Sequence, residues 1–432
     1  MTERTESRMI LPNEKNETCV LVRRFSIFAL GTIALYWFIT IFTRSAYIDA
    51  YFVTDHTDTA MDYFNMLANI FHGDPYYANA NYPAICFLFW KVMAHMMPIP
   101  WIEEYGTGAY LRGNMIAQLG YFLFVMTCLL MICFAVEIIV GENRQQKWLT
   151  ALTILLSGPM FFLLERGNIL LIALAFSFVF IAFYDDETAW KRYIAYTALA
   201  LAAAIKLYPA LLGLLVLRKK RYKETVIVVL MGILFFSLPF FAFGGIKTIQ
   251  NMLVGVTIAS NIQADIGLGY NFSLINMVEL FAACFGHRIE SIPGWFSMLA
   301  VLGGLGLFFV STEEWQRIYA MVITGILFPS FSYTYTLTML FLPMVVFFHR
   351  SSKEEQGRFR ILYAVLFYLL IIPYATPFVD AVNQVLELEY LKFPVSWGTI
   401  IMSCAIIVMT LLILIDSILR RTQKADKQAM EA

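Results

Sequence analysis

A polar segment after the first long apolar stretch carries three carboxylates and one imidazole within eight positions. Asp55, Asp58 and Asp62 stand at positions i, i+3 and i+7, so on a helix of about 100° per residue they fall within an arc of about 60°. Because a carboxylate among like charges binds a proton more readily, one of the three is a candidate general base. His56 is a candidate for binding a hydroxyl group. The alternative interpretation is a solvated acidic face at a membrane surface.

Three cations near the ends or middles of apolar stretches are candidates for binding an anion. Arg166 lies in a turn that opens an apolar run, where a helix N-terminus suits a phosphate, although such an arginine also often snorkels. Lys206 interrupts the apolar run Tyr193–Leu217, and a lysine at membrane depth needs an anionic partner. Arg288 is a weaker candidate of the same kind.

The composition limits the class of protein that must position these residues. Only 14% of the 432 residues are charged and 60% are hydrophobic, whereas a soluble domain carries about 25% charged residues. A soluble globular protein is therefore excluded, and a membrane protein with many spans is indicated. Lys+Arg and Asp+Glu both number 31, so no basic excess favours a nucleic-acid partner. The six cysteines are scattered without a CxxC pair, which predicts neither disulfides nor a zinc site.

Apolar runs separated by charged turns predict an all-α membrane domain. Two runs, Tyr193–Leu217 and Ile318–Phe348, are interrupted by prolines and polar residues, and each fits either one span or a hairpin of two short helices. Two hairpins give about 12 spans, with both termini and 23 of the 31 Lys+Arg in the cytoplasm. Two single spans leave 19 in the cytoplasm and bury Lys206 at a cost of about 2.5–3.5 kcal/mol, so we predict 12 spans. The other predicted spans are Ser26–Phe42, Met115–Val140, Trp148–Leu164, Ile169–Tyr184, Thr225–Phe243, Trp295–Val310, Phe359–Ile372 and Val395–Leu419.

The predicted organisation is a single membrane domain, residues 25–420, between cytoplasmic tails at residues 1–24 and 421–432. Two long segments, residues 45–114 and 244–294, lie on the outer face. The apolar stretch Ala84–Met97 in the first segment is too short to span and predicts an interfacial or re-entrant helix.

A set of short motifs in a fixed order resembles a known family. The chain is similar to the bacterial polyprenol-phosphate-mannose-dependent α-1,2-mannosyltransferases of the GT-C superfamily over roughly residues 25–230. It departs from that family in offering two acids four residues apart and in having Ala84 where a second proline is frequent. The motifs that carry the resemblance are Asp58 or Asp62, Gly73-Asp74-Pro75-Tyr76, Tyr82-Pro83, Arg166-Gly167-Asn168, and Lys206-Leu207-Tyr208-Pro209 before the basic Arg218-Lys219-Lys220-Arg221.

The resemblance implies a GT-C-like fold in the inner membrane of a bacterium and a hexosyltransferase activity. The expected donor is a polyprenyl-phosphate sugar, with mannose as the expected sugar, and the acceptor is a glycan or glycolipid on the non-cytoplasmic face. Asp58, or failing it Asp62, would act as the general base of an inverting transfer. Arg166 and Lys206 would hold the donor phosphate, so neither a metal nor another cofactor is expected. The expected substrate-binding residues are Arg166, Asn168, Lys206, Tyr63, Tyr82, His56 and Arg288.

Two other functions fit a polytopic chain of this composition. A transporter or lipid-linked sugar flippase often shows inverted repeats and ionisable groups at mid-bilayer, whereas this chain shows no repeat and gathers its ionisable groups at the outer face. A non-catalytic scaffold subunit would not need an acid cluster above a cavity. Both alternatives remain open on the sequence.

Overall fold

The computed structural model describes residues 12–43, 59–73, 75–76, 80–100, 107–266, 269–289, 291–374, 382 and 395–431, and its regular structure there is helical. An isolated antiparallel bridge joins Asn271 and Tyr333, and the described residues contain no strand. The helices are α1 (Pro12–Phe42), α2 (Met61–Phe71), α3 (Ala84–Met96), α4 (Gly108–Gly113), α5 (Met115–Val140), α6 (Arg144–Leu155), α7 (Gly158–Arg166), α8 (Leu170–Phe183), α9 (Ala189–Ile205), α10 (Leu214–Arg218), α11 (Tyr222–Phe241), α12 (Ile246–Ile266), α13 (Leu274–Cys284), α14 (Met298–Val310), α15 (Glu314–Leu327), α16 (Phe341–His349), α17 (Lys353–Gln356), α18 (Arg360–Ile371) and α19 (Trp397–Glu431).

The lengths and composition of these helices fit a polytopic membrane protein. Four described segments are long and apolar enough to cross a bilayer, within α1, α5, α11 and α19, and the bent pair α6–α7 would make a fifth. Several other apolar helices are shorter, so the count of about 12 spans stays a prediction. Helix α1 begins inside the segment expected to be a polar N-terminal tail, and α19 continues through most of the expected C-terminal tail.

Both apolar runs expected to form hairpins are interrupted. Helix α9 ends at Ile205, Lys206 is extended (φ −136°, ψ 124°), and a 3₁₀ helix Tyr208–Gly213 leads into α10. Helix α15 ends at Leu327, and the chain resumes in a 3₁₀ helix Thr334–Leu340 before α16. Prolines and polar residues at these points stop the regular i to i−4 hydrogen bonding of an α-helix.

Helix α8 lies at the centre of the bundle between α5 and α9. Eleven of its 14 residues are buried. The helix is apolar on all sides, as expected where neighbouring helices cover every face. Residue Asn168 lies just before this helix and is only 1% exposed, so a polar group enters the interior where α8 begins.

Small residues allow α14 and α15 to approach closely. A Cβ built on Gly304 of α14 would lie 2.9 Å from Thr324 Cβ of α15 and closer still to its hydroxyl oxygen. The Thr324 hydroxyl is already committed to the carbonyl of Ala320 at 2.6 Å. By contrast, a Cβ on the neighbouring Gly303 would meet no atom within 4 Å.

We predict that Gly304→Ala destabilises the protein whereas Gly303→Ala does not. Both substitutions bring the same gain in helix propensity, but only the first forces α14 and α15 apart, at about 1–3 kcal/mol. Thermal unfolding of the two variants in one detergent measures the difference as a lower melting temperature for Gly304→Ala. Equal melting temperatures would show that this helix contact relaxes without cost.

Candidate functional site

Asp62 lies in the first turn of α2, which docks against the end of α7. The residue before the helix, Ala60, is left-handed (φ 54°, ψ 34°), and its N–H donates to the carbonyl of Glu165 at 2.6 Å. Gly167 ends α7 with φ +63°, and a Cβ there would lie 3.0 Å from Ala60 Cα and 3.1 Å from its carbonyl oxygen. A glycine at position 167 therefore permits both the left-handed turn and the close approach that brings Asp62 to α7.

The Asp62 carboxylate is held at both oxygens. Arg166 Nη2 lies 3.0 Å from Oδ1 in a salt bridge, and Asn168 Nδ2 donates to Oδ2 at 2.6 Å. The side chains of Asp62 and Arg166 are 15% and 11% exposed, so this ion pair is largely shielded from water. Charge-assisted hydrogen bonds of this kind are stronger than neutral ones, and together they fix the position of the carboxylate.

Asn168 also connects the acid to Tyr82. The same Nδ2 lies 2.9 Å from the Tyr82 hydroxyl, while Oδ1 accepts the N–H of Leu170 at 2.9 Å. The contact with Leu170 ties the side chain to the first N–H of α8 and sets which way the amide faces. Asn168 thus directs both of its amide hydrogens into the site.

Lys206 approaches the same cluster from the break after α9. Its Nζ lies 4.6 Å from the centroid of the Tyr82 ring, a cation–π contact. Within the described part of the chain no carboxylate lies within 4 Å of this ammonium group. A half-buried lysine that contacts an aromatic ring, and no carboxylate among the described residues, is a suitable partner for an incoming anion.

Aromatic side chains from the second half of the chain cover the cluster. The Arg166 guanidinium lies 5.6 Å above the Tyr333 ring, and that ring packs with Phe162 and Tyr335 at centroid distances of 6.4 and 5.6 Å. Asn271 accepts the N–H of Ser332 at 2.8 Å and so holds the break after α15 in place. Tyr333 was not among the residues expected at the site from the sequence.

Two apolar cavities adjoin the break at Lys206. One of about 800 Å³ lies among α9, α10, α11 and α14, and the other, about 560 Å³, lies beside Tyr208 and Phe331. Leu207 and Leu211 line both cavities, so apolar space begins at the residue that follows the ammonium group in the chain.

The structure brings together five of the residues expected at the site: Asp62, Arg166, Asn168, Tyr82 and Lys206. Tyr63 is instead fully buried among aromatic rings, 5.1 Å from Tyr121 and 5.7 Å from Phe124 by centroid. Arg288 lies in an exposed loop after α13. Asp58 and His56 lie outside the described residues.

The fold and the cluster are those of a polytopic, all-helical membrane protein with an acid and cations gathered at helix breaks. The family model "Glycosyltransferase family 87" matches residues 109–373, which is more than half of the chain. The chain therefore belongs to glycosyltransferase family 87, a GT-C-type family, and is a membrane glycosyltransferase. No curated protein and no solved structure matches it. The matched stretch contains Arg166, Asn168 and Lys206, whereas Asp62 and Tyr82 precede it.

We predict that Gly167→Ala impairs both stability and sugar transfer, with Gly286→Ala as its matched control. Both glycines follow a helix, have φ of +63° and +78°, and are flanked by the same pattern of backbone hydrogen bonds, so alanine costs each about 1–2 kcal/mol of backbone strain. Only at Gly167 does the new methyl group contact another segment, the residue that precedes α2. Transfer assays and thermal unfolding should show the larger loss for Gly167→Ala. Equal losses would mean that the approach of α2 to α7 is not needed.

Proposed function

We propose that this glycosyltransferase moves a hexose, with mannose the first candidate, from a polyprenyl-phosphate donor to a glycan or glycolipid acceptor. The observation that carries the proposal is a single cluster that contains a fixed carboxylate, Asp62, and a lysine, Lys206, with no carboxylate partner among the described residues. Such a pair provides a base for the attacking hydroxyl and a cation for the departing phosphate. Apolar cavities beside the lysine provide space for a lipid tail.

In this proposal Lys206 binds the donor phosphate. The break after α9 sets its ammonium group among membrane helices, where a positive charge interacts strongly with an anion because water is scarce. The interaction strengthens during the reaction, since negative charge builds on the phosphate as the bond to the sugar breaks. The polyprenyl chain would extend into the cavities that Leu207 and Leu211 line.

In the same proposal Asp62 is the general base. The acceptor oxygen attacks the anomeric carbon from the side opposite the phosphate, while Asp62 takes the hydroxyl proton. The bond from that carbon to the phosphate oxygen breaks, and its electron pair leaves with the polyprenyl phosphate, so the configuration inverts. Asp58 remains the alternative base, because it lies outside the described residues.

Arg166 has a different proposed role from the phosphate contact expected from sequence. Its Nη2 is engaged by Asp62 and its guanidinium stacks on Tyr333, so it is better suited to position the base than to grip the donor. Asn168 would position the second oxygen of the carboxylate in the same way. The donor phosphate would then depend mainly on Lys206.

We further propose the orientation in the membrane that the distribution of Lys and Arg along the chain favours. The cluster would face the non-cytoplasmic side of a bacterial plasma membrane, with both termini in the cytoplasm and about 12 spans. A lipid-linked donor explains why an enzyme for a polar sugar is built from so many apolar helices: the donor tail can be held only within the bilayer.

We predict that Asp62→Asn lowers the rate of transfer by about 10²- to 10⁴-fold, the usual contribution of a positioned base. Asparagine keeps the size of the side chain and one oxygen to which Arg166 can still donate a hydrogen bond, so the fold should persist. The matched control is Asp186→Asn, which alters an aspartate bonded to Lys191 at 3.1 Å between α8 and α9. The assay follows extension of an acceptor glycan by purified protein supplied with a polyprenyl-phosphate sugar.

The same assay with Asp58→Asn separates the two candidate bases. Near-native transfer by Asp62→Asn together with a large loss in Asp58→Asn would assign the base to Asp58. Near-native transfer by both variants would refute a base in this segment.

We predict that Lys206→Gln weakens donor binding by about 10- to 100-fold, the range for losing one hydrogen bond to a charged group. Acceptor binding should change little, because the lysine is assigned to the phosphate alone. Titrations of donor and of acceptor on one preparation measure the two effects, and Lys223→Gln, an exposed lysine at the start of α11, is the control. Unchanged donor affinity would exclude this role.

A further inference from the structure

A polar cavity, separate from the two apolar ones, lies at the opposite end of α2 from Asp62. Its volume is about 460 Å³, and it lies between the end of α2, helix α3 and the junction of α11 with α12. Because α2 has 11 residues, its length of about 16 Å separates the two places. The proposed transfer reaction makes no use of this cavity.

Two lysines line the cavity from different elements. Lys91 extends from α3, with its Nζ 5.3 Å from the centroid of the Phe243 ring, and Lys247 lies in the first turn of α12. The described residues place no carboxylate within 4 Å of either ammonium group. Asp74, which stands between two lining residues in the sequence, lies outside the described part. Two cations that share one concave space, with no carboxylate partner among the described residues, suit an anionic ligand.

The rest of the lining adds neutral polar groups. Asn251 contributes an amide one turn after Lys247, and Thr248 contributes a hydroxyl that donates to the carbonyl of Phe243 at 2.5 Å. The Thr248 oxygen can still accept a hydrogen bond from a ligand hydroxyl. This mixture of cations and neutral groups fits a phosphate that carries hydroxyl-bearing substituents.

Exposed apolar side chains stand near the lining residues of α12 and of the α11–α12 junction in the chain. Phe241 at the end of α11 and Ile246 at the start of α12 are each 72% exposed, and Leu253 and Val254 of α12 are 55% and 54% exposed. In a membrane protein such surface faces acyl chains, so a ligand that enters from this side would carry an apolar tail.

We propose that the Lys91–Lys247 cavity binds the phosphate-bearing headgroup of an anionic membrane lipid. The two ammonium groups would hold the phosphate, Asn251 and Thr248 would contact headgroup hydroxyls, and the exposed apolar residues would lie along the acyl chains. This site is separate from the Asp62 cluster, and its existence does not depend on the proposed transfer reaction.

One contact connects the cavity with the Asp62 cluster. Tyr76 lines the cavity and donates its hydroxyl to the carbonyl of Tyr82 at 3.1 Å, while the Tyr82 hydroxyl contacts Asn168. A headgroup bound against Tyr76 would therefore restrict the motion of the segment that carries Tyr82.

The test is a binding titration of the purified full-length protein in detergent. The probes are dioctanoyl phosphatidylglycerol, dioctanoyl phosphatidylcholine and inorganic phosphate. The variant is Lys91→Gln with Lys247→Gln, and the control is Lys220→Gln with Lys223→Gln, which removes two exposed lysines elsewhere. All four side chains are exposed, so the variants should fold, and their melting temperatures check this.

We expect phosphatidylglycerol to bind the wild type and the control equally and the Lys91/Lys247 variant about tenfold more weakly, since each basic group near a membrane surface contributes measurably to binding an anionic lipid. The zwitterionic lipid and inorganic phosphate should bind more weakly than phosphatidylglycerol to the wild type. Wild-type affinity in the Lys91/Lys247 variant, or equal binding of the two lipids, would overturn the proposal. Inorganic phosphate that binds as tightly as phosphatidylglycerol would assign the cavity to a soluble phosphate instead of a lipid.

Discussion

The ion pair between Asp62 and Arg166 joins segments that are 104 residues apart in the chain, and the geometry of the site depends on it. Without Arg166 the carboxylate would be a largely shielded charge with only an amide as its partner, an arrangement that is strongly destabilising. With Arg166 as its partner, the Asp62 carboxylate is held in one place in the first turn of α2, a helix that has no side-chain cap. The left-handed turns at Ala60 and Gly167 give the two backbones the close approach that this pair requires.

Interruptions of apolar helices supply most of the other polar groups in the site. The turn between α7 and α8 provides Asn168, the break after α9 provides Lys206, and the break after α15 provides Tyr333. Irregular backbone at membrane depth is tolerated where it packs against protein or lines a cavity, and these breaks do both. In this account the broken helices serve the transfer reaction, because an unbroken span would carry its polar residues to the membrane surface and away from a lipid-linked donor.

The sequence was sufficient to locate breaks and candidates but not to pair them. Prolines and polar residues inside apolar runs predicted the interruptions at Lys206 and in the stretch 328–333, because they remove helical hydrogen bonds. The match of Asp62 to Arg166 depends on how α2 docks on α7, which local patterns do not encode. Tyr63 was expected to contact substrate. It follows Asp62 in the same helix, so its side chain points about 100° away from that of Asp62 and faces the aromatic core. Helices α12 and α13 were likewise treated only as an outer loop.

A cryo-electron microscopy map of the enzyme with a polyprenyl-phosphate sugar bound would show whether Asp62 and Lys206 lie on the two sides of the bond that breaks. We expect density for the phosphate within hydrogen-bonding distance of Lys206 Nζ, the anomeric carbon facing the Asp62 carboxylate across the space for an acceptor, and the lipid tail beside Leu207. A donor whose phosphate lies elsewhere, with Asp62 and Lys206 both remote from the sugar, would refute the roles proposed for both residues.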